Sequence, residues 1–188
     1  MSTTKESLLD RTWTRNKFLI STNHTLISIP ELNAIFVTDL VYWATPLPTS
    51  AMREMLSNSL CFGLYDTEAK SPKEDSPKTA MKLVGFARCV TDFATFSYLT
   101  DVFVLPAYQS EGLGSWLVGC VGEVHDGMPW LRRSMLFSGD WERSVPFYER
   151  VLGMQVINRG GEEEGKRPAV MQKMGPGFPG KYKEKGSV

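Results

Sequence analysis

An excess of charge of either sign is missing from this chain, because 21 basic residues are balanced by 21 acidic ones for a formal net charge of zero. A neutral balance gives no electrostatic footprint for nucleic acid, so a nucleic-acid partner is not expected. No run of eighteen apolar residues occurs, which removes a membrane-spanning helix from the expectations. The opening stretch Met1-Ser2-Thr3-Thr4-Lys5-Glu6-Ser7 lacks the apolar core of a secretory signal, and the expected location is cytoplasmic. Cysteine is scarce: Cys61, Cys89 and Cys120 are odd in number and widely spaced within apolar runs. They read as buried free thiols rather than as disulfides or metal ligands, and no metal site is expected. A phosphate-cradling G-x-x-x-x-G-K-[ST] is also absent.

What is present is 188 residues, 42% of them hydrophobic, enough for one domain with a substantial core. Its most informative stretch runs from Val102 to Leu117. The β-branched and aromatic run Val102-Phe103-Val104 meets Pro106, a short loop follows, and Gly112 and Gly114 open a segment whose apolar residues Leu113, Trp116, Leu117, Cys120, Val121 and Val124 recur at helical spacing. Glycine at these two positions removes Cβ atoms that would keep a ligand from the backbone. The first turn of a helix has unpaired N–H donors and the positive end of the macrodipole, so the loop Gln109-Ser110-Glu111-Gly112-Leu113-Gly114-Ser115 is built to hold an anion such as a phosphate. Two competing readings are an ordinary glycine-containing turn and a dinucleotide fingerprint. The second fits poorly, because the third glycine would fall at Leu117 and several strands precede the unit.

The stretch Val104-Leu105-Pro106-Ala107-Tyr108-Gln109-Ser110-Glu111-Gly112-Leu113-Gly114 resembles the acetyl-CoA pyrophosphate motif of the GNAT superfamily of N-acetyltransferases, (Gln/Arg)-x-x-Gly-x-(Gly/Ala) after the fourth strand. Further along, Phe147-Tyr148-Glu149-Arg150-Val151-Leu152-Gly153-Met154 is similar to the family's F-Y-E-K-x-G-F, with one extra residue before the glycine and Met in place of the last Phe. The resemblance implies a single-domain α/β fold, a mixed sheet of six or seven strands with a splayed central pair and helices on both faces. It implies acetyl-CoA as co-substrate, with Val102, Phe103 and Val104 pairing with the pantetheine and Gln109 to Ser115 holding the pyrophosphate. Tyr148 takes the place of the family's general acid, and Ser144 stands where the family often has Ala near the cofactor. Asp101, on the same strand, is the best-placed carboxylate to relay the amine proton.

Each assignment has a plainer alternative. Trp141, Val145, Tyr148 and Leu152 share one helical stripe, so Tyr148 is either the acid or a packed core residue. Pro146 either kinks a helix starting near Asp140 or lies in the first turn of one capped by Ser144. Asp101 is either a base or an edge or capping carboxylate. His125 falls at the end of the cofactor helix, where a structural role is expected, and Cys120 belongs to the apolar stripe rather than to a nucleophile site.

Elsewhere, Lys17–Ile20 and Thr25–Ile29 read as strands, and Ser28-x-x-Glu31 with Pro30 starts a helix with the stripe Leu32, Ile35, Phe36, Leu40 and Trp43. A second helix is expected over Ser50–Ser57. Strands follow at Leu60–Tyr65, Lys82–Val90, Tyr98–Val104, Arg133–Phe137, Met154–Asn158 and Ala169–Met174, with polar loops at Asp66–Thr79 and Gly160–Lys166. A transferase domain over residues 1–174 and a flexible tail over 175–188 are expected. The expected function is acetyl transfer to a small-molecule or peptide amine by a monomer or homodimer. The alternatives are an acyl-CoA-binding module without transfer and a nucleotide-binding protein. Tyr42, Trp43, Phe93, Phe96 and Tyr98 either wall the acceptor site or fill the core.

Overall fold

The computed structural model describes residues 5–69, 81–159 and 165–179. A four-residue helix α1 (Lys5–Leu8) precedes the hairpin of β1 (Thr12–Arg15) and β2 (Phe18–Ser21), paired antiparallel from Thr12↔Ser21 to Arg15↔Phe18. Its two-residue turn is Asn16-Lys17, with Asn16 at φ 53°, a left-handed conformation that Asn tolerates and that tight hairpins require. The serine cap expected at Ser28 is present: its Oγ accepts from the Glu31 N–H at 3.4 Å, Pro30 lies in the first turn, and α2 runs Ile29–Phe36.

Two expectations in this stretch are corrected. Thr25–Ile29 is not a strand, because Asn23 Oδ1 accepts from the Thr25 N–H and hydroxyl and closes a 3₁₀ turn at His24–Leu26. The long helix through Trp43 is broken after Phe36, where the Thr38 hydroxyl turns back onto the Ile35 carbonyl and a second 3₁₀ turn forms at Asp39–Val41. Trp43 therefore leaves the helical stripe and is 47% exposed.

The chain continues through α3 (Thr49–Ser57), β3 (Leu60–Asp66), β4 (Lys82–Thr91), β5 (Phe96–Val104), a 3₁₀ turn (Pro106–Tyr108), α4 (Leu113–Asp126), β6 (Arg133–Ser138), α5 (Ser144–Leu152), β7 (Gln155–Val156) and β8 (Ala169–Met174). The class is mixed α/β, and the strands among the described residues number eight rather than six or seven, hydrogen-bonded in the order β1-β2-β3-β4-β5-β6-β8-β7. The additional strand is β1, whose exposed, polar-alternating Thr12–Arg15 gives little sequence signal.

Two compact units divide the residues. The first comprises Lys5–Arg88 with Asp101–Leu117. In it β2 pairs antiparallel with β3 from Phe18↔Asp66 to Ser21↔Gly63. Its core gathers Leu32 and Phe36 of α2, Met52 and Leu56 of α3, and Cys61, Tyr65, Phe86 and Phe103 of the strands. Lys17 is paired with Asp66 at 3.1 Å.

The second unit comprises Cys89–Thr100 with the chain from Val118 onward. Its β4–β5 turn is tied by Asp92, whose carboxylate accepts from the N–H groups of Ala94, Thr95 and Phe96 and from the Thr95 hydroxyl. Burial opposes ionisation of Asp92, but these hydrogen bonds outweigh it and hold the acid well below the usual carboxylate range. Parallel pairing of β5 with β6 covers Phe96↔Arg133, Ser97↔Ser134 and Tyr98↔Met135, and β5 runs on past this ladder. β6 and β8 pair antiparallel from Arg133↔Met174 to Ser138↔Ala169, and β7 adds Gln155↔Gln172 and Val156↔Met171. A Cβ on Gly122 of α4 would lie 2.9 Å from Leu152 Cδ2 of α5, so the missing side chain permits that close helix contact.

All three cysteines are buried thiols outside any disulfide among the described residues. His125 is buried, with Nε2 2.9 Å from Ser97 Oγ and 3.8 Å from Cys89 Sγ. Burial pulls its pKa down to about 4, so it sits as a neutral imidazole, a structural group as expected but not the cation a helix C-terminus favours. Of the expected tail, residues 180–188 lie outside the described residues. In 175–179, Gly175 N–H donates to Arg132 O and Gly177 N–H to Leu131 O. Most of the polar loop after Asp66 and residues 160–164 of the last turn are likewise outside the described residues.

Candidate active site

The glycine loop begins where β5 stops. The Leu105 N–H donates to Val84 O at 2.8 Å, the 3₁₀ turn of Pro106–Tyr108 reverses the chain, and Gln109 Nε2 reaches back to Val104 O at 2.9 Å. Ser110 and Gly112 both take positive φ, 73° and 69°. The Gly112 carbonyl then accepts from the Trp116 N–H at 3.1 Å, which makes it the residue that starts α4. No acceptor among the described residues meets the backbone N–H groups from Ser110 to Ser115. The loop therefore displays six consecutive N–H donors at a helix N-terminus, the arrangement that receives phosphate.

The two glycines differ in what requires them. Gly112 is fixed by its backbone conformation. At Gly114 the chain imposes nothing: φ is ordinary, and an added Cβ would meet only Val104 Cγ2, at 4.0 Å. Neither conformation nor packing excludes a Cβ there.

Asp101 of β5 has φ 53° in mid-strand, a conformation that costs an ordinary residue free energy and that Asp tolerates better than most. Its side chain is buried and accepts from two elements at once. Arg88 Nε of β4 donates to Oδ2 at 2.7 Å, and Trp43 Nε1 donates to Oδ1 at 3.3 Å. Arg88 Nη1 donates also to Ser59 Oγ at 3.2 Å. Val102 is half-buried, and Phe103 and Val104 are buried in the strand that follows.

Tyr148 lies in the middle of α5, with its ring edge-on to Phe147 at 5.1 Å between centroids. Burial alone pushes its hydroxyl up to about 12. Pro146 falls in the first turn of a helix beginning at Ser144, where its missing N–H costs no intrahelical bond. Ser144 is not the cap: the Asp140 carbonyl accepts from Ser144 N and Val145 N, and Asp140 Oδ1 accepts from Arg143 N at 2.8 Å. Gly153 closes the helix at φ 66°, its N–H bonded to the Glu149 carbonyl at 3.0 Å.

Residues 41–154 match the family model of the acetyltransferase (GNAT) family. The chain belongs to the GNAT acetyltransferases. A provisionally named acetyltransferase of Gibberella zeae is 37% identical over 148 residues, covering 76% of this chain and 82% of that protein. A solved GNAT-family protein of Xanthomonas campestris pv. campestris is 28% identical, with a TM-score of 0.54 over 85% of this chain and 94% of that one. NAA60 of Arabidopsis thaliana, solved with acetyl-CoA, is 13% identical and shares the fold at a TM-score of 0.61, over 84% of this chain and 99% of its own. As a GNAT acetyltransferase the chain is an acyltransferase. No helix among its described residues is long and apolar enough to cross a membrane.

The GNAT motif points to Gln109 to Ser115, but two of the side chains around the candidate residues, Arg88 and Arg15, are not singled out by sequence reading, and neither is the contact of Trp43 with Asp101. Arg88 had a signal, being the one charge within Leu83–Val90, a run otherwise apolar or small that forms a buried strand. An arginine there needs an acid, and Asp101 is the acid. Trp43, named above as an aromatic that walls the acceptor site or fills the core, and Arg15 reach their partners across 58 and 96 residues of sequence, and nothing local marks those pairings.

Proposed function

We propose that the protein transfers the acetyl group of acetyl-CoA to an amine by direct attack, with the pyrophosphate seated over the loop Gln109 to Ser115 on the N–H groups of Ser110 to Ser115. The observation that carries this reading is Gly114, a glycine that neither the chain's conformation nor its packing requires and that a closely approaching ligand does. The GNAT membership supports acetyl transfer, and the acetyl-CoA bound to the Arabidopsis thaliana relative supports the co-substrate.

In the proposed reaction the neutral amine nitrogen attacks the thioester carbonyl carbon, and the tetrahedral intermediate collapses by breaking the C–S bond. The amine loses a proton and coenzyme A leaves as thiol. The backbone of Val102, Phe103 and Val104 is the proposed partner of the pantetheine, and Asp101 the group that relays the amine proton. Tyr148 is the proposed donor to the departing sulfur. With its hydroxyl at about 12 and an ordinary thiol near ~8.5, complete transfer to a free thiolate would be uphill by about 5 kcal/mol. The role that fits Tyr148 is a hydrogen bond that strengthens as charge builds on sulfur, with the hydroxyl protonated throughout the neutral range.

The acceptor in this reading is a small-molecule or peptide amine. Release of free thiol from acetyl-CoA, measured across a panel of arylalkylamines, polyamines and peptide N-termini, tests the proposal. Amine-dependent thiol release with a matching N-acetyl product is expected. Acetyl-CoA binding without release on any of these amines would make the protein a binding module instead.

A further inference from the structure

The anion loop has no cation of its own. From Gln109 to Ser115 the only charged residue is Glu111, and a pyrophosphate placed there would meet a formal negative charge. Glu111 acts electrostatically on Lys17, and Lys17 is already paired with Asp66 at 3.1 Å. The β1–β2 hairpin brings a second cation to the same loop. Arg15, the last residue of β1, places its guanidinium 4.7 Å from the centroid of the Trp116 ring in the first turns of α4, and its Nη2 donates to the Glu111 carbonyl at 3.1 Å.

The geometry of that second contact has a consequence for the loop. In a trans peptide the C=O and the following N–H point in opposite directions. Arg15, holding the Glu111 carbonyl from one side, turns the Gly112 N–H to the other side, where no acceptor among the described residues meets it. The guanidinium also adds fixed positive charge beside the helix N-terminus, to which the macrodipole contributes only about half a charge. A carbonyl bonded to a guanidinium is polarised, and its amide N–H becomes a stronger donor.

We propose that Arg15 is the positioning residue of the acetyl-CoA phosphate site: it fixes the Glu111–Gly112 peptide with the Gly112 N–H facing the phosphate and supplies the positive charge that the loop sequence omits. The inference rests on the acetyl-CoA reading given above. Arg15 differs from the residues of the glycine motif in coming from the other end of the first unit's chain, held by Trp116 rather than by the loop.

The test is calorimetric titration of the full chain with acetyl-CoA at several salt concentrations, on the natural protein, Arg15→Met and Arg15→Lys. Arg15→Met keeps length and apolar contact with Trp116 but removes charge and donors. Its dissociation constant is expected to rise about 10-fold or more, with a shallower dependence on salt, because one cation near the phosphates is gone. Arg15→Lys is expected to keep the salt dependence and lose part of the affinity, since it retains charge without the planar fork. Repeating the titrations with 3′-dephospho-coenzyme A reads which phosphate feels Arg15: equal losses assign the pyrophosphate, and a loss confined to the 3′-phosphorylated ligand assigns the ribose phosphate. Affinities of Arg15→Met and Arg15→Lys within twofold of the natural protein overturn the proposal. A weakened Arg15→Met with an unchanged salt slope overturns its electrostatic part. A natural protein that binds no acetyl-CoA would instead fail the acetyl-CoA reading. If Arg15→Met melts far below the natural protein, Arg15→Lys decides alone, and unchanged affinity in it counts against the fork.

Discussion

Asp101 Oδ2 and Arg88 Nε lie 2.7 Å apart, both side chains largely withdrawn from solvent, at a point where β5 takes a left-handed residue in mid-strand. Removing one member of such a pair leaves the other charge uncompensated, which costs more than the pair itself contributes. Arg88→Met is therefore expected to destabilise the fold by about 3 kcal/mol, seen as a melting temperature lower by roughly 6–12 °C. A shift below about 1 °C would mean that water, not Asp101, satisfies the guanidinium.

Asp101→Asn keeps the backbone conformation but removes the charge, and because it leaves the Arg88 guanidinium uncompensated it is compared at temperatures below its own, lowered melting transition. Asn also tolerates the left-handed conformation and keeps an oxygen for the Trp43 indole N–H, but it cannot take a proton from an amine. Amine-dependent turnover should fall by ~10²-fold or more while acetyl-CoA affinity stays within a few-fold. Unchanged turnover would confine Asp101 to holding Arg88 and Trp43.

For Tyr148 the decisive variant is Tyr148→Phe, which keeps the ring against Phe147 and deletes the hydroxyl. Turnover is expected to drop by ~10²-fold with little change in melting temperature. Because burial lifts the hydroxyl to about 12, the natural enzyme should gain activity with rising pH as the amine deprotonates. No falling limb is expected before about pH 10. A limb near pH 8 that disappears in Tyr148→Phe would contradict the assignment of its protonation state.

His125 makes a prediction about stability rather than activity. Its pKa falls from 6.5 unfolded to about 4 folded, so the unfolded chain binds the proton first as pH drops. Its contribution is complete above pH 6.5 and is lost progressively between pH 6.5 and 4, amounting to about 3 kcal/mol. Denaturant unfolding at pH 7.5, 5.5 and 4 should show this slope in the natural protein and a smaller one in His125→Gln. Parallel slopes in the two proteins would mean that the imidazole is solvated.

Those residues divide by how visible they were in the sequence. The glycine loop was legible because its chemistry is local: a strand, a turn and a helix start within sixteen residues of each other. The cap at Ser28 was legible for the same reason. Helix α2 was extended too far, since Leu40 and Trp43 continue its apolar period while the Thr38 hydroxyl bond to Ile35 that ends it leaves no trace in that period. Thr25–Ile29 has strand composition, but Asn23 upstream decides its conformation. Of the two helix starts left open by Pro146, the one near Ser144 holds, but the Ser144 hydroxyl is not the cap: the carbonyl and carboxylate of Asp140 meet the N–H groups of Arg143, Ser144 and Val145. Arg88 carries a signal as a lone charge in a buried run, but its partner Asp101, the contact of Trp43 with Asp101 and that of Arg15 with Glu111 depend on distance along the chain that folding erases.

The most direct test of the account is calorimetric titration of Gly114→Val with acetyl-CoA beside the natural protein. A Cβ has room at this position in the free chain, with only Val104 Cγ2 at 4.0 Å, so folding and melting temperature are expected to change little, which a melting curve checks. The valine side chain would stand where the phosphates approach the N–H donors, and binding should weaken by ~10²-fold or vanish. A folded Gly114→Val protein that binds acetyl-CoA as tightly as the natural one would contradict the assignment of the site.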